Sequence, residues 1–352
     1  PFNSTWRHTM PYLRDEVPGP QTERLFKGHK GWIRALALSP DSSILAGAGS
    51  APDTNIHLWN VHTGRTVQGS GPFIGHTSAV IGLGFSNDGG SLYSASLDGT
   101  MRLWDLCGQA ETILTSYESF RALAIARDGT LAVGGDNAML YLFQPGALKA
   151  ELLTVVGKIR SITFSRDGQN LAVGTDAGIL HILVNIGGSW KQLRKHMMPA
   201  TVLSLAFTPD NESMACGTSL GNVYRINIIK GTCQRVATLP TRQFCSMLFT
   251  DEETLLIGQT DPRATQGSLG SGQLAVFSWL DWQLLKSFED FNGGLNALIQ
   301  LNDGRLLITP KNRTKSLAQP DCFYPALLNF GDVNLGRGEK FTIDGAPPWL
   351  RF

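Results

Sequence analysis

The 352-residue sequence is short of charge, of cysteine and of long apolar runs. Only 17% of its residues are Asp, Glu, Lys or Arg, and 30 basic against 29 acidic side chains leave a formal net charge of +1. No global field draws such a chain to nucleic acid or to an anionic membrane, so any basic site must be local. The five cysteines (Cys107, Cys216, Cys233, Cys245 and Cys322) are odd in number and have no C-x-x-C spacing. They suggest neither a zinc site nor a full disulfide framework. That usage points to a reducing compartment, the cytoplasm first and the nucleus second. No apolar run approaches the roughly 20 residues that span a bilayer, and neither a signal peptide nor a basic amphipathic helix is evident.

What the sequence has in quantity is glycine, 39 residues, within a 42% hydrophobic composition. This profile fits many short strands joined by tight turns better than amphipathic helices. Closed all-β architectures often run well past two hundred residues as one unit, so the length does not require two domains.

Internal repetition carries the main signal. An apolar stretch ending in a turn recurs as ALALSPD (35–41), GLGFSND (82–88), ALAIARD (122–128), SITFSRD (161–167), SLAFTPD (204–210), SMLFTDE (246–252) and ALIQLND (297–303). The ends of these segments are separated by 47, 40, 39, 43, 42 and 51 residues, the spacing of a four-stranded propeller blade. Stacking the segments gives a large apolar column: Ile33, Val80, Phe120, Ile159, Val202, Phe244 and Leu295. Two residues on, every position is small: Ala35, Gly82, Ala122, Ser161, Ser204, Ser246 and Ala297. Small residues let innermost strands crowd together around an axis. Second, third and more polar fourth runs follow each segment, predicting an all-β, seven-bladed β-propeller of four-stranded antiparallel blades. The fourth strand of the seventh blade is assigned to ERLFK (23–27), which closes the ring and leaves no open edge; EKFTID (339–344) competes for that place. The expected organisation is an extended arm over 1–21, the propeller over 22–330, and a C-terminal strand or tail over 331–352 packing on the last blade. The chain begins at Pro1 without Met, as a processed chain or a piece of a longer protein would.

Residues 75–105, which contain GH and then SASLDGTMRLWD, closely resemble the WD-repeat signature. The resemblance covers roughly residues 22–330, strongly in two blades and only as a pattern in five. In that family a His, a Ser or Thr, an Asp and a Trp hydrogen-bond across one blade. The resemblance carries these roles to His76, Ser94 or Ser96, Asp98 and Trp104. The first blade keeps His29, Asp53 and Trp59, with Ala46 and Ala48 where the hydroxyl would lie. Elsewhere Phe143, Leu183, Ile226 and Phe277 take the place of Trp. The resemblance also implies that the face bearing the tetrad turns is used to grip peptides.

The signs of catalysis are weak. The seven histidines share no column of the repeat, and His57 and His181 read as strand-face residues rather than ligands. Asp88, Asp128, Asp167 and Asp303 read as turn formers. The glycine-rich stretches GAGS and GSLGSG lack a full phosphate-binding motif. No metal ligand set, cofactor or catalytic residue is assigned.

Two features stand out. The column just inside the innermost strand reads Arg34, Ile81, Arg121, Arg160, Leu203, Cys245, Asn296, placing three arginines in one slot of strands that otherwise reject charge. Trp32, Lys158, Arg242 and Phe244 fall close by. The competing expectation is that each Arg pairs with an acidic turn residue of a neighbouring blade. The second feature is a set of long loops at 49–54, 259–272 and 310–324, with Lys311 and Arg313 at the basic tip of the last. Arg and aromatic side chains dominate interface energetics, and Arg clamps a carboxylate or phosphate through two bonds. The leading expectation is therefore a non-catalytic scaffold, part of a multi-protein complex or larger chain, that binds an acidic or phosphorylated peptide or a partner domain on the tetrad-side face. Nucleic-acid binding through the same cations is the alternative, and a propeller enzyme with a channel active site the third.

Overall fold

The computed structural model describes residues 21–147, 149–239, 243–251, 253–260, 271–292, 295–301, 304–310 and 325–329. The expected N-terminal arm (apart from Gln21), the C-terminal tail and the EKFTID segment lie outside the described residues.

Among the described residues all regular structure is strand, arranged as a propeller of four-stranded antiparallel blades. Six sheets have four strands and one has three. The innermost strands are Ile33–Leu38, Val80–Phe85, Phe120–Ile125, Ile159–Phe164, Val202–Phe207, Gln243–Phe249 and Leu295–Gln300. Each packs against the innermost strand of the next sheet, and Leu295–Gln300 packs against Ile33–Leu38.

The first hairpin of several blades is closed by one local device. Ser39, Ser86, Ser165 and Thr208 each donate a hydroxyl to the Asp two residues on, Asp41, Asp88, Asp167 and Asp210. Each Asp then accepts a backbone N–H two residues further. The bond satisfies polar groups within the turn and frees the strands to pack.

The small column allows the close approach it predicts. A Cβ built on Gly82 would stand 2.5 Å from the Leu123 Cβ of the next blade. The apolar core lies between adjacent blades rather than in one central mass. Ala37, Ala46, Ile56 and Leu58 of the first blade pack on Val80, Phe85, Leu92 and Trp104 of the second. Ala122, Leu140 and Leu142 meet Ile159, Leu171 and Val173 in the same way two blades on.

Two details differ from the expected strand pattern. The strand Gln21–Leu25 pairs antiparallel with Ala326–Asn329, two residues earlier than the 23–27 segment expected there. Phe26 follows it, fully buried, and joins Ile33, Trp59, Leu301, Leu307 and Leu327 in one cluster. The polar fourth run of the first blade, RTV at 65–67, forms no strand and leaves two isolated bridges, Trp59↔Thr66 and Ile56↔Phe73. Gly69, Gly71 and Pro72 interrupt the run between them; glycine weakens a strand and proline cannot donate to the ladder.

Candidate functional site

The second blade shows what the local chemistry builds when it is complete. Trp104 Nε1 donates to Ser94 Oγ at 2.8 Å, and Ser94 Oγ lies 2.7 Å from His76 Nε2. His76 Nδ1 faces Asp98 Oδ2 at 2.8 Å, and Asp98 also accepts from the Thr77 N–H and from Thr100. Trp104, Ser94 and His76 are buried. Burial alone would raise the Asp98 carboxyl; the bonds from His76 and Thr100 and the nearby imidazole outweigh it and hold the group well below the usual carboxylate range. Of the two hydroxyls that the sequence left open, Ser94 is the link. Ser96 instead donates to the Ser78 and Ala79 carbonyls and accepts the Asp98 N–H, tightening the turn.

The first blade is built differently from the expectation. Strand registers pair Leu83 with Ser94 and Ser94 with Arg102; the matching pairs are Leu36 with Gly47 and Gly47 with His57. The position of the missing hydroxyl is therefore Gly47, not Ala46 or Ala48. A Cβ there would stand 2.7 Å from the Trp59 ring, so the indole has filled the vacated space. Its Nε1 donates to the Lys27 carbonyl at 2.7 Å. Asp53 is met not by His29 but by His57, whose Nε2 lies 2.9 Å from Asp53 Oδ2. His57 stacks on Trp59 and stands edge-on to His29, with ring centroids 5.8 and 5.1 Å apart. His29 Nδ1 contacts the Gly31 carbonyl at 2.7 Å, and among the described residues its buried Nε2 has no hydrogen-bond partner. Burial above all holds this imidazole down at about 4. His57 is thus more than a strand-face residue, and the repeat gave no sign of it because Arg102 occupies the same register in the second blade.

The arginine column has a backbone cause that the sequence did not reveal. In six sheets the register slips across residues 34, 81, 160, 203, 245 and 296, and in the third blade it slips opposite Arg121. Every member of the column is the extra residue of a β-bulge, which re-aims its side chain out of the ladder. That is why charge is tolerated there, and the bulges lie beside the turns between second and third strands.

These arginines meet acidic turn residues to different degrees. Arg121 clamps Asp136 with two bonds of 2.9 Å within its own blade. Arg160 reaches Asp176 of its own blade at 3.5 Å and Asp136 of the preceding blade at 3.8 Å. Lys158 stands 3.9 Å from Asp136. The Asp136 side chain is only 8% exposed, whereas Arg121, Arg160 and Lys158 are 34, 28 and 50% exposed. The Arg121 bond, opposed by burial and joined by the charges of Lys158 and Arg160, holds the Asp136 carboxyl below its ordinary range. Arg34 is exposed and makes no ion pair among the described residues. Asn296, in the same slot, donates to the Ile33 carbonyl at 2.9 Å and ties the last sheet to the first. Trp32 is half-buried. Arg242, Lys311 and Arg313, the Phe244 side chain, and most of the loops 259–272 and 310–324 lie outside the described residues.

Among the described residues no helix is long and apolar enough to cross a membrane. The family model described as "WD domain, G-beta repeat" matches residues 20–60 and 68–105. Periodic tryptophan protein 2 of Arabidopsis thaliana is 29% identical over 212 residues, 58% of this chain and 23% of that protein. Transcription factor unc-37 of Caenorhabditis elegans is 28% identical over 188 residues, 52% of this chain and 29% of its own. Autophagy-related protein 16 of Arabidopsis thaliana is 24% identical over 217 residues, 58% and 41% of the two lengths. The matched region thus spans less than half of each of these relatives. Repeat matches in two blades, and the hydrogen-bonded His76–Ser94–Asp98–Trp104 set in one of them, make this chain a member of the WD-repeat β-propeller family.

Proposed function

We propose that this chain is a non-catalytic interaction scaffold whose tetrad-side face grips an acidic or phosphorylated peptide, presented alone or on a partner domain. One observation carries the reading: Arg121, Lys158 and Arg160 converge on Asp136, and among the described residues Asp176 is the one further carboxylate paired with them, which leaves three cations to two acids. A preformed cluster of half-exposed cations, oriented by buried acid, presents guanidinium and ammonium N–H groups to an incoming anion at little entropic cost. Arg34 extends the same slot of the first blade toward solvent, and Trp32 beside it supplies aromatic surface.

The frame of the site is a seven-bladed ring in which Gln21–Leu25 serves as the fourth strand of the last blade. Its antiparallel register with Ala326–Asn329, and the packing of Leu295–Gln300 on Ile33–Leu38, support that closure. The exposed free thiols Cys107 and Cys233 support residence in a reducing compartment, the cytoplasm.

The test is binding of a panel of acidic and phosphorylated peptides to the wild-type chain and to the double variant Arg34→Ala, Arg160→Ala. A charge-assisted bond is worth ~1.5–3 kcal/mol, so the variant loses roughly tenfold or more in affinity while its melting curve stays in place. Undiminished affinity would sink the reading. Tighter binding of oligonucleotides, with affinity falling steeply between low and moderate salt, would turn the same cations into a phosphate-backbone site.

A further inference from the structure

We propose that His29, Asp53 and His57 form a zinc-binding site in the first blade, at the place where the second blade carries its structural tetrad. One potential ligand atom from each residue lies within 4.8 Å of the other two. Two imidazoles and one carboxylate are the donor set of an open zinc site, three protein ligands with water in the fourth position.

The cluster stands on more than proximity. His29 is 1% exposed, and its buried Nε2 has no hydrogen-bond partner among the described residues. A buried polar atom left unsatisfied forfeits the bond to water it has in the unfolded chain. The equivalent atom of His76 is satisfied by Ser94, whose register position in the first blade is Gly47, filled instead by the Trp59 ring. No side chain at that position can serve His29. At the Arg102 register the first blade instead supplies a second imidazole, His57, and turns it toward His29 and Asp53.

The outer contacts suit a ligand set. His29 Nδ1 lies 2.7 Å from the Gly31 carbonyl and 3.0 Å from the Gly31 N–H. The shorter contact is to an acceptor, which places the proton on Nδ1 and the lone pair on Nε2. A backbone carbonyl holding the far nitrogen of a histidine is the usual way a metal-binding tautomer is fixed. Asp53 is anchored by the Lys30 and Asn55 N–H groups, at 3.0 and 3.2 Å. Tetrahedral zinc with ligands at about 2.1 Å sets its ligand atoms roughly 3.4 Å apart. Asp53 Oδ2 and His57 Nε2, now 2.9 Å apart, open slightly to admit the ion, and side-chain rotation draws in the ligand atoms, none of which stands more than 4.8 Å from another. The proton that His57 Nε2 shares with Asp53 moves to Nδ1, and the ion takes the lone pair left on Nε2. Side-chain exposures of 11 and 7% for His57 and Asp53 give the ion its way in.

The experiment is titration of chelator-treated full-length chain with Zn2+ alone, by calorimetry, with Co2+ in parallel for its visible d–d bands. One saturable equivalent is expected, together with a higher melting temperature in Zn2+ than in chelator. His57→Arg is the decisive variant, because the second blade carries an arginine, Arg102, at the equivalent register. It should melt like the metal-free wild type, lose the Zn2+-dependent shift, and lose more affinity than the roughly 10–100-fold that outer-shell changes cost. His29→Ala should lose the same binding. The proposal is overturned if the wild type takes up no saturable equivalent, or if folded His57→Arg binds Zn2+ as the wild type does.

Discussion

At the scale of single residues, blades one and two perform opposite experiments on the same position. Ser94 links two buried groups, so Ser94→Ala strands both Trp104 Nε1 and His76 Nε2 in an apolar setting. The expected loss is about 1–3 kcal/mol for each group left without a partner, read as a fall in the urea midpoint. Gly47→Ser, which restores the hydroxyl that the tetrad pattern asks for, should also destabilise the chain, by about 1–3 kcal/mol. The new Cβ collides with the Trp59 ring, whose N–H is already bonded to Lys27. A gain in stability from that substitution would show that the indole can return to the position Trp104 takes. The tetrad of the second blade was legible in the sequence because GH and SASLDGTMRLWD keep their spacing. The first blade was not. Its run Ala46-Gly47-Ala48-Gly49 consists of small residues throughout, and the longer 49–54 turn hides which of them holds the register position of Ser94 in the second blade.

At the scale of strands, the repeat's apolar and small columns told which segments form innermost strands, because inter-blade packing constrains both faces at once. The arginine column was equally visible, but its cause was not: a bulge is a slip of hydrogen-bond register, and no residue type in Arg34, Ile81, Arg121, Leu203 or Asn296 encodes it. The lost fourth strand of the first blade shows the converse. Thr66 and Val67 have strand propensity, yet Gly69, Gly71 and Pro72 decide the outcome. The pairing of Gln21–Leu25 with Ala326–Asn329 makes a strand-level prediction. Deleting residues 1–25 exposes the edge of Ala326–Asn329 and removes the segment that leads into buried Phe26. We expect the melting temperature to fall by roughly 5 °C or more, with concentration-dependent aggregation from the bared edge. Scanning calorimetry and light scattering read both effects. An unchanged, monodisperse truncation would remove the N-terminal strand from any role in closing the ring.

At the scale of the whole molecule, near-neutral net charge hides a consistent arrangement of its titratable groups. Asp53, Asp98 and Asp136 are bonded to partners that hold their carboxyls below the ordinary range. A carboxylate depressed on folding contributes stability that is fully present above its unfolded value near 4 and is lost as pH falls through the folded value. Burial acts on His181 and His196 in the opposite chemical sense, lowering both imidazoles and favouring their neutral forms. For a base the unfolded chain then binds the extra proton first, below about 6.5, so these two also withdraw stability as pH falls. Every one of these shifts has the same consequence for the fold, and none offsets another. The urea midpoint should therefore decline gently between pH 7 and 5, as the histidines charge in the unfolded state, and steeply below pH 4, as the carboxylates protonate. Asp98→Asn separates the components: it should lower the midpoint at pH 7 and make the limb below pH 4 shallower, while leaving the gentle decline unchanged. A midpoint that stays level from pH 7 to pH 3 in the wild type would mean that the bonds around Asp98 and Asp136 persist with protonated acids and contribute no charge-dependent stability.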